Sequence, residues 1–208
     1  MKVIAINGSP RKDGNTETIL NIIKEEFSKE NIEMEIINIG TDNIHGCISC
    51  WYCMEKQECI FKDDKVNETV KKIIEADGFI LAAPTYYGGI PGTMKSFLDR
   101  LFLSGMGKFR NKTATAVSIA RRAGEIDTLH QLLNFLHLSE VIIPPSQYWT
   151  SIYGMEKGEI LNDKEGLQTV RKNIQGMIWI MKMINETKEK ILPPKNENRI
   201  MTNFIKNF

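Results

Sequence analysis

A regular alternation of short apolar runs with amphipathic stretches constrains this chain most, because it leaves little but a parallel sheet covered by helices on both faces. Val3 to Ile6 forms an apolar run that ends in Asn-Gly-Ser-Pro, a strand followed by a turn. From about Thr16 to Ser28, the residues Ile19, Leu20, Ile22, Ile23 and Phe27 recur at helical spacing. Ile32 to Ile39, Gly78 to Ala83 and Thr113 to Ala120 read as strands two to four, and Glu140 to Ile143 as the start of a fifth. Helices are expected at about Asp64 to Glu75, Pro91 to Leu103, Glu125 to His137 and Lys164 to Lys190. Gly40 to Asp63 keeps neither period and is expected to be a long functional loop. The expected fold is therefore α/β, a doubly wound five-stranded parallel sheet whose ligands bind beyond the carboxyl ends of the strands. The loops after strands one, three and four then share one edge.

With 208 residues, 42% of them apolar, the chain can bury one full core. Residues 1–190 are expected to be one domain, and 191–208 a polar tail that is a candidate oligomer arm. Twenty-seven basic residues balance twenty-six acidic ones, and a net charge of +1 gives no general pull toward nucleic acid or an anionic membrane. No segment approaches the roughly 20 apolar residues of a membrane span, and the apolar run at Met1 to Ile6 is too short for a secretion signal. A cytoplasmic protein is expected. Its four cysteines lie between Cys47 and Cys59, a clustering that in a reducing compartment asks for a ligand rather than disulfides.

The loop Gly8-Ser9-Pro10-Arg11-Lys12-Asp13-Gly14-Asn15-Thr16 joins the first strand to the first helix. Free N–H groups at a helix N-terminus bind phosphate, Ser9, Asn15 and Thr16 can add side-chain donors, and Arg11 can add charge. The plain alternative is an ordinary turn with Thr16 or Asn15 as helix N-cap. The loop lacks both the Gly-Lys-Ser/Thr ending of a nucleoside-triphosphate loop and G-x-G-x-x-G, so a terminal phosphomonoester fits better than a pyrophosphate.

Residue for residue, this loop resembles the G-S-P-R-x-x-G-N-T loop of the NADPH-dependent FMN reductase family of flavodoxin-like proteins. The resemblance extends to about residue 190. It implies a flavodoxin-like fold, FMN as cofactor, and Ser9, Arg11, Asn15 and Thr16 as holders of its phosphate. The partner is then a small redox substrate or an electron-carrier protein, and the assembly a homodimer or homotetramer.

After strand three, Pro84-Thr85-Tyr86-Tyr87-Gly88-Gly89 offers flat rings and bare backbone, or simply a turn with surface tyrosines. By the resemblance, Pro84, Thr85, Tyr86, Tyr87 and Gly88 line the flavin. Arg121 and Arg122 stand after strand four, where relatives contribute a third flavin-side loop that is often glycine-rich. They are read three ways: stabilising an anionic reduced flavin, binding the 2′-phosphate of NADPH, or forming surface salt bridges.

The cysteines follow C-x2-C-x2-C-x5-C through Cys47, Cys50, Cys53 and Cys59. Three at spacing three can wrap one side of a compact cluster and the fourth can close it, whereas structural zinc prefers two separated knuckles. The spacing is similar to that of the iron–sulfur flavoproteins, a branch of the same family with FMN and a 4Fe-4S cluster. Free thiols or a labile disulfide are the competing readings, and related reductases with a similar segment need no cluster. The expectation is an FMN-dependent oxidoreductase with a 4Fe-4S cluster on the four cysteines. The alternatives are a cluster-free NAD(P)H-dependent FMN or quinone reductase and a non-enzymatic carrier fed by ferredoxin. No catalytic side chain is assigned, since the flavin carries the chemistry. His45, His130 and His137 are scattered and read as structural.

Overall fold

The computed structural model describes residues 1–197 and Ile200; residues 198, 199 and 201–208 lie outside it, and with them the end of the tail read as an oligomer arm. Five parallel strands form one sheet in the order β2-β1-β3-β4-β5, where β1 is Lys2–Asn7, β2 Glu33–Asn38, β3 Gly78–Pro84, β4 Thr113–Ala120 and β5 Ser151–Tyr153. The helices are α1 (Asn15–Lys29), a single short turn α2 (Tyr52–Lys56), α3 (Val66–Glu75), α4 (Gly92–Ser104), α5 (Glu125–Leu138) and α6 (Lys164–Thr187).

Strand residues alternate between two buried layers, as the period of two demands. Ile4, Ile6, Phe79, Leu81, Ala114 and Ala116 face α3, α4 and α5. Val3, Ala5, Ile80, Ala82, Val117 and Ile119 face α1 and α6. Burial on both faces explains why these strands are nearly continuous in apolar residues.

The fifth strand is not where the sequence pattern put it. Ile142 makes a single bridge beside β4, accepting from Ala114 N at 3.0 Å and donating to Lys112 O at 2.8 Å. Pro144 and Pro145 then stop the ladder, because neither has an N–H to give. Pairing resumes at Ser151–Tyr153, opposite Ser118–Ala120. The segment 40–63 is loop except for α2, which is bracketed by Trp51 and Gln57 in left-handed backbone.

The carboxyl ends of β1, β3 and β4 lie side by side, so the loops that follow them meet at one edge. Two contacts fix that edge. Asn7 accepts from Ser9 N at 3.0 Å while donating to Asn38 at 2.8 Å, which ties the first loop to β2. Gly40, the first residue beyond Ile39, packs so tightly on the Ser9–Pro10 backbone that a Cβ there would collide with the Ser9 carbonyl.

Candidate functional site

The residues singled out in the first loop come together as expected. Ser9, Arg11, Asn15 and Thr16 line a cleft of about 200 Å³ whose other walls are Pro84, Thr85 and Tyr86 from the β3 loop, Ile119, Ala120 and Arg121 from β4 and its loop, and Gly154 and Met155 after β5. The helix α1 opens into this cleft from Gly14, with no side chain capping it. The first N–H groups of a helix have no intrahelical partner, so those of Asn15, Thr16 and Glu17 are free to meet an anion. The bland reading of Asn15 or Thr16 as N-cap does not hold.

The side chains are set for the same task. Ser9 Oγ accepts from Arg11 N at 3.2 Å, which leaves its hydroxyl proton to donate elsewhere. Arg11 Nη1 donates to Met155 O at 3.3 Å, and Asn15 Nδ2 to Glu156 O at 2.9 Å, so the segment after β5 closes one side of the cleft. Asn15 Oδ1 is buried without a partner, and at that depth an acceptor calls for a donor. A Cβ at Gly154 would meet the Ile160 backbone nitrogen at 2.7 Å and Asn15 Nδ2 at 3.0 Å, which explains a glycine there. A phosphomonoester with hydroxyls on its chain fits this donor-rich pocket and its one orphaned acceptor.

On the far side, Tyr86 and Gly89 exchange two backbone hydrogen bonds at 2.8 and 3.0 Å around Tyr87 and Gly88. Both central residues have positive φ, 50° and 73°, the geometry of a type I′ turn. This turn holds Tyr86 at the cleft and puts Tyr87 and Gly88 at its tip, away from the walls. Thr128 Oγ1 donates to Thr85 Oγ1 at 3.1 Å and so fastens the loop to α5. Arg121 lines the cleft; Arg122 is exposed and does not.

The four cysteines line a second, smaller cavity of about 20 Å³ together with Ile48, Trp51, Ile60, Phe61, Arg100, Leu103 and Ser104. All four are free thiols. Burial pushes the Cys53 thiol up, and the neighbouring Cys59, Cys47 and Cys50 add to the rise. Among the described residues, no group of three or more Cys, His, Asp or Glu is arranged to hold a metal ion. The donor set nonetheless suits iron and sulfide: soft sulfurs, mostly apolar walls and no carboxylate in the lining. A cluster spreads its ligands over several corners, so it needs the side chains to part around it, not to converge on a point.

Sequence reasoning missed two contributors here. Arg100 on α4 and Asp64 before α3 form a buried ion pair, with side chains 1% and 2% exposed. The available signal was a cation in the buried stripe of α4, in phase with Met94, Phe97, Leu101 and Ser104. For the first cleft, the missed residues Ile119, Gly154 and Met155 arrive by tertiary placement alone.

A family model described as NADPH-dependent FMN reductase matches residues 1–154. An iron–sulfur flavoprotein of Methanocaldococcus jannaschii is 35% identical over 194 residues, spanning 89% of this chain and all of that protein. An iron–sulfur flavoprotein of Methanosarcina thermophila is 28% identical over 194 residues, 91% of this chain and all of that one. Among solved structures, RosB with bound 8-demethyl-8-formylriboflavin-5′-phosphate superposes with a TM-score of 0.69 at 18% identity, covering 100% of this chain and 94% of RosB. The flavodoxin, WrbA-like protein of Agrobacterium tumefaciens superposes with a TM-score of 0.56 at 15% identity, covering 89% of this chain and 97% of that one, and the two likenesses establish the flavodoxin-like fold.

Proposed function

The chain belongs to the NADPH-dependent FMN reductase family, and we propose that within it this chain is an iron–sulfur flavoprotein, an oxidoreductase that moves electrons between FMN in the β-edge cleft and a 4Fe-4S cluster on Cys47, Cys50, Cys53 and Cys59. One observation carries the flavin part: Ser9, Arg11, Asn15 and Thr16 surround an uncapped helix N-terminus in the same cleft as Pro84, Thr85, Tyr86 and Arg121. The iron–sulfur part is supported by four free thiols lining one cavity and by relatives named for such a group.

FMN held there supplies reversible one- and two-electron chemistry. The chain's own residues bind and orient. The α1 N–H groups, Ser9 and Thr16 would hold the phosphate, Arg11 would add charge at the mouth, and Asn15 Oδ1 would accept from a hydroxyl of the linking chain. Pro84, Thr85, Tyr86, Ile119 and Ala120, which line the same cleft, would hold the ring. Arg121 would bring positive charge to the bound flavin, with Arg122 next to it in sequence, and Tyr87 and Gly88 hold the turn that places Tyr86 at the cleft.

Anaerobically purified protein tests both parts together. Saturable uptake of FMN, with bands of flavin and of an iron–sulfur centre and about four iron per chain for a 4Fe-4S cube, is the expected result. No uptake of FMN would sink the proposal. The second reading, a cluster-free NAD(P)H-dependent reductase, draws on the lack of a ready-made metal group among the described residues. It predicts flavin bands without iron and steady turnover of NADPH with a quinone or free flavin.

A further inference from the structure

Arg100 is the bulkiest fully buried side chain of the described protein, at 2% exposure, and the flavin cleft makes no use of it. Its Nε donates to Cys59 Sγ at 3.1 Å. Both terminal nitrogens bind the Asp64 carboxylate, and they also donate to His45 O at 3.3 Å and Phe61 O at 3.5 Å. The guanidinium lies over the Phe61 ring, 4.9 Å from its centroid.

Cys59 is held from its other side as well. Its N–H donates to Asn67 Oδ1 at 2.7 Å, and Asn67 Nδ2 returns a bond to Cys59 O at 3.0 Å. Cys47 and Cys50, by contrast, are exposed on the loop. The four sulfurs are therefore unequal: one is clamped to α3 and α4, and the others ride on a segment with few ties.

We propose that Arg100 is a positioning residue for the iron–sulfur cluster: it fixes Cys59 as the anchored ligand and, by its N–H bond to that sulfur, raises the cluster's reduction potential. This inference rests on the iron–sulfur reading of the cysteine cavity. Hydrogen bonds to ligand sulfur stabilise the more negative, reduced state, which is one of the levers a protein has on such a potential. Asp64 cancels most of the long-range effect of the guanidinium charge, so what remains at Cys59 is the directed N–H bond. Removing the donor and removing the counter-charge should then act in opposite directions.

The test is a redox titration of the cluster in holoprotein, followed by its paramagnetic signal, for the wild type, Arg100→Lys and Asp64→Asn, with iron content and FMN uptake measured on each. Arg100→Lys keeps a cation but loses the Nε donor, and its midpoint should fall by about a tenfold change in the oxidised-to-reduced ratio, 59 mV for one electron. Asp64→Asn leaves the guanidinium uncompensated beside Cys59, and its midpoint should rise. Equal midpoints, or shifts of the same sign in both variants, overturn the role of Arg100. If Arg100→Lys fails to fold or to keep iron, the sign of the Asp64→Asn shift decides alone: a rise supports the role, while a fall or no change overturns it. A wild type without iron removes the cluster reading and this inference together; iron in the wild type with unmoved midpoints removes only this inference.

Discussion

The fine control of this molecule rests on single atoms. Arg11 meets solvent at the cleft mouth, so its charge is partly screened; Arg11→Ala should weaken FMN binding by about tenfold and leave the fold intact, as a fluorescence titration would show. Gly40→Ala should do more harm from farther away. Its new methyl would strike the Ser9 carbonyl and force the loop after β1 outward, costing about 1–3 kcal/mol of stability along with FMN affinity, both measurable by urea unfolding with and without FMN. Arg100→Ala leaves Asp64 as an unpaired buried carboxylate and should cost about 3–5 kcal/mol in the same assay. Of these residues only Arg11 was legible in the sequence, because its role is local to a motif. Gly40 and Arg100 depend on what the fold brings against them.

At the level of elements, Glu35 joins three of them. It accepts from Lys72 of α3 at 2.6 Å and pairs with Lys2 of β1 at 3.0 Å, and those hydrogen bonds hold its carboxyl below the usual range. The folded chain therefore releases this proton more readily than the unfolded chain does. The resulting stabilisation is full above about pH 4.3, the ordinary glutamate value, and disappears as pH falls through the lower folded value. Glu35→Gln should flatten the decline of the thermal midpoint in that acid window and lower it near neutrality. The strands β1, β3 and β4 and all the long helices could be read from periodicity because each is buried on a regular face. The fifth strand could not. Val141, Ile142 and Ile143 carry the stronger apolar signal, yet two prolines stop the ladder after the single bridge at Ile142, while Ser151–Tyr153 is too short to show a period.

Over the whole molecule the two candidate centres occupy different neighbourhoods, the flavin cleft on the strand edge and the thiol cavity against α3 and α4. Replacing Cys47, Cys50, Cys53 and Cys59 together by Ser should therefore abolish iron and leave FMN uptake within about twofold of the wild type, well inside 1 kcal/mol. A collapse of both in that variant would mean the sites are not separable. No helix among the described residues is long and apolar enough to cross a membrane.

One rod serves both neighbourhoods. The helix α4 starts at Gly92, just past the turn that aims Tyr86, and carries Arg100 beneath Cys59. Eight residues of helix rise about 12 Å, and a helix of this kind does not stretch. Loops at either end can breathe while the span between these two stations stays constant, so the spacing between the cleft and the thiol cavity is gauged by secondary structure and not by the looser segments that line each.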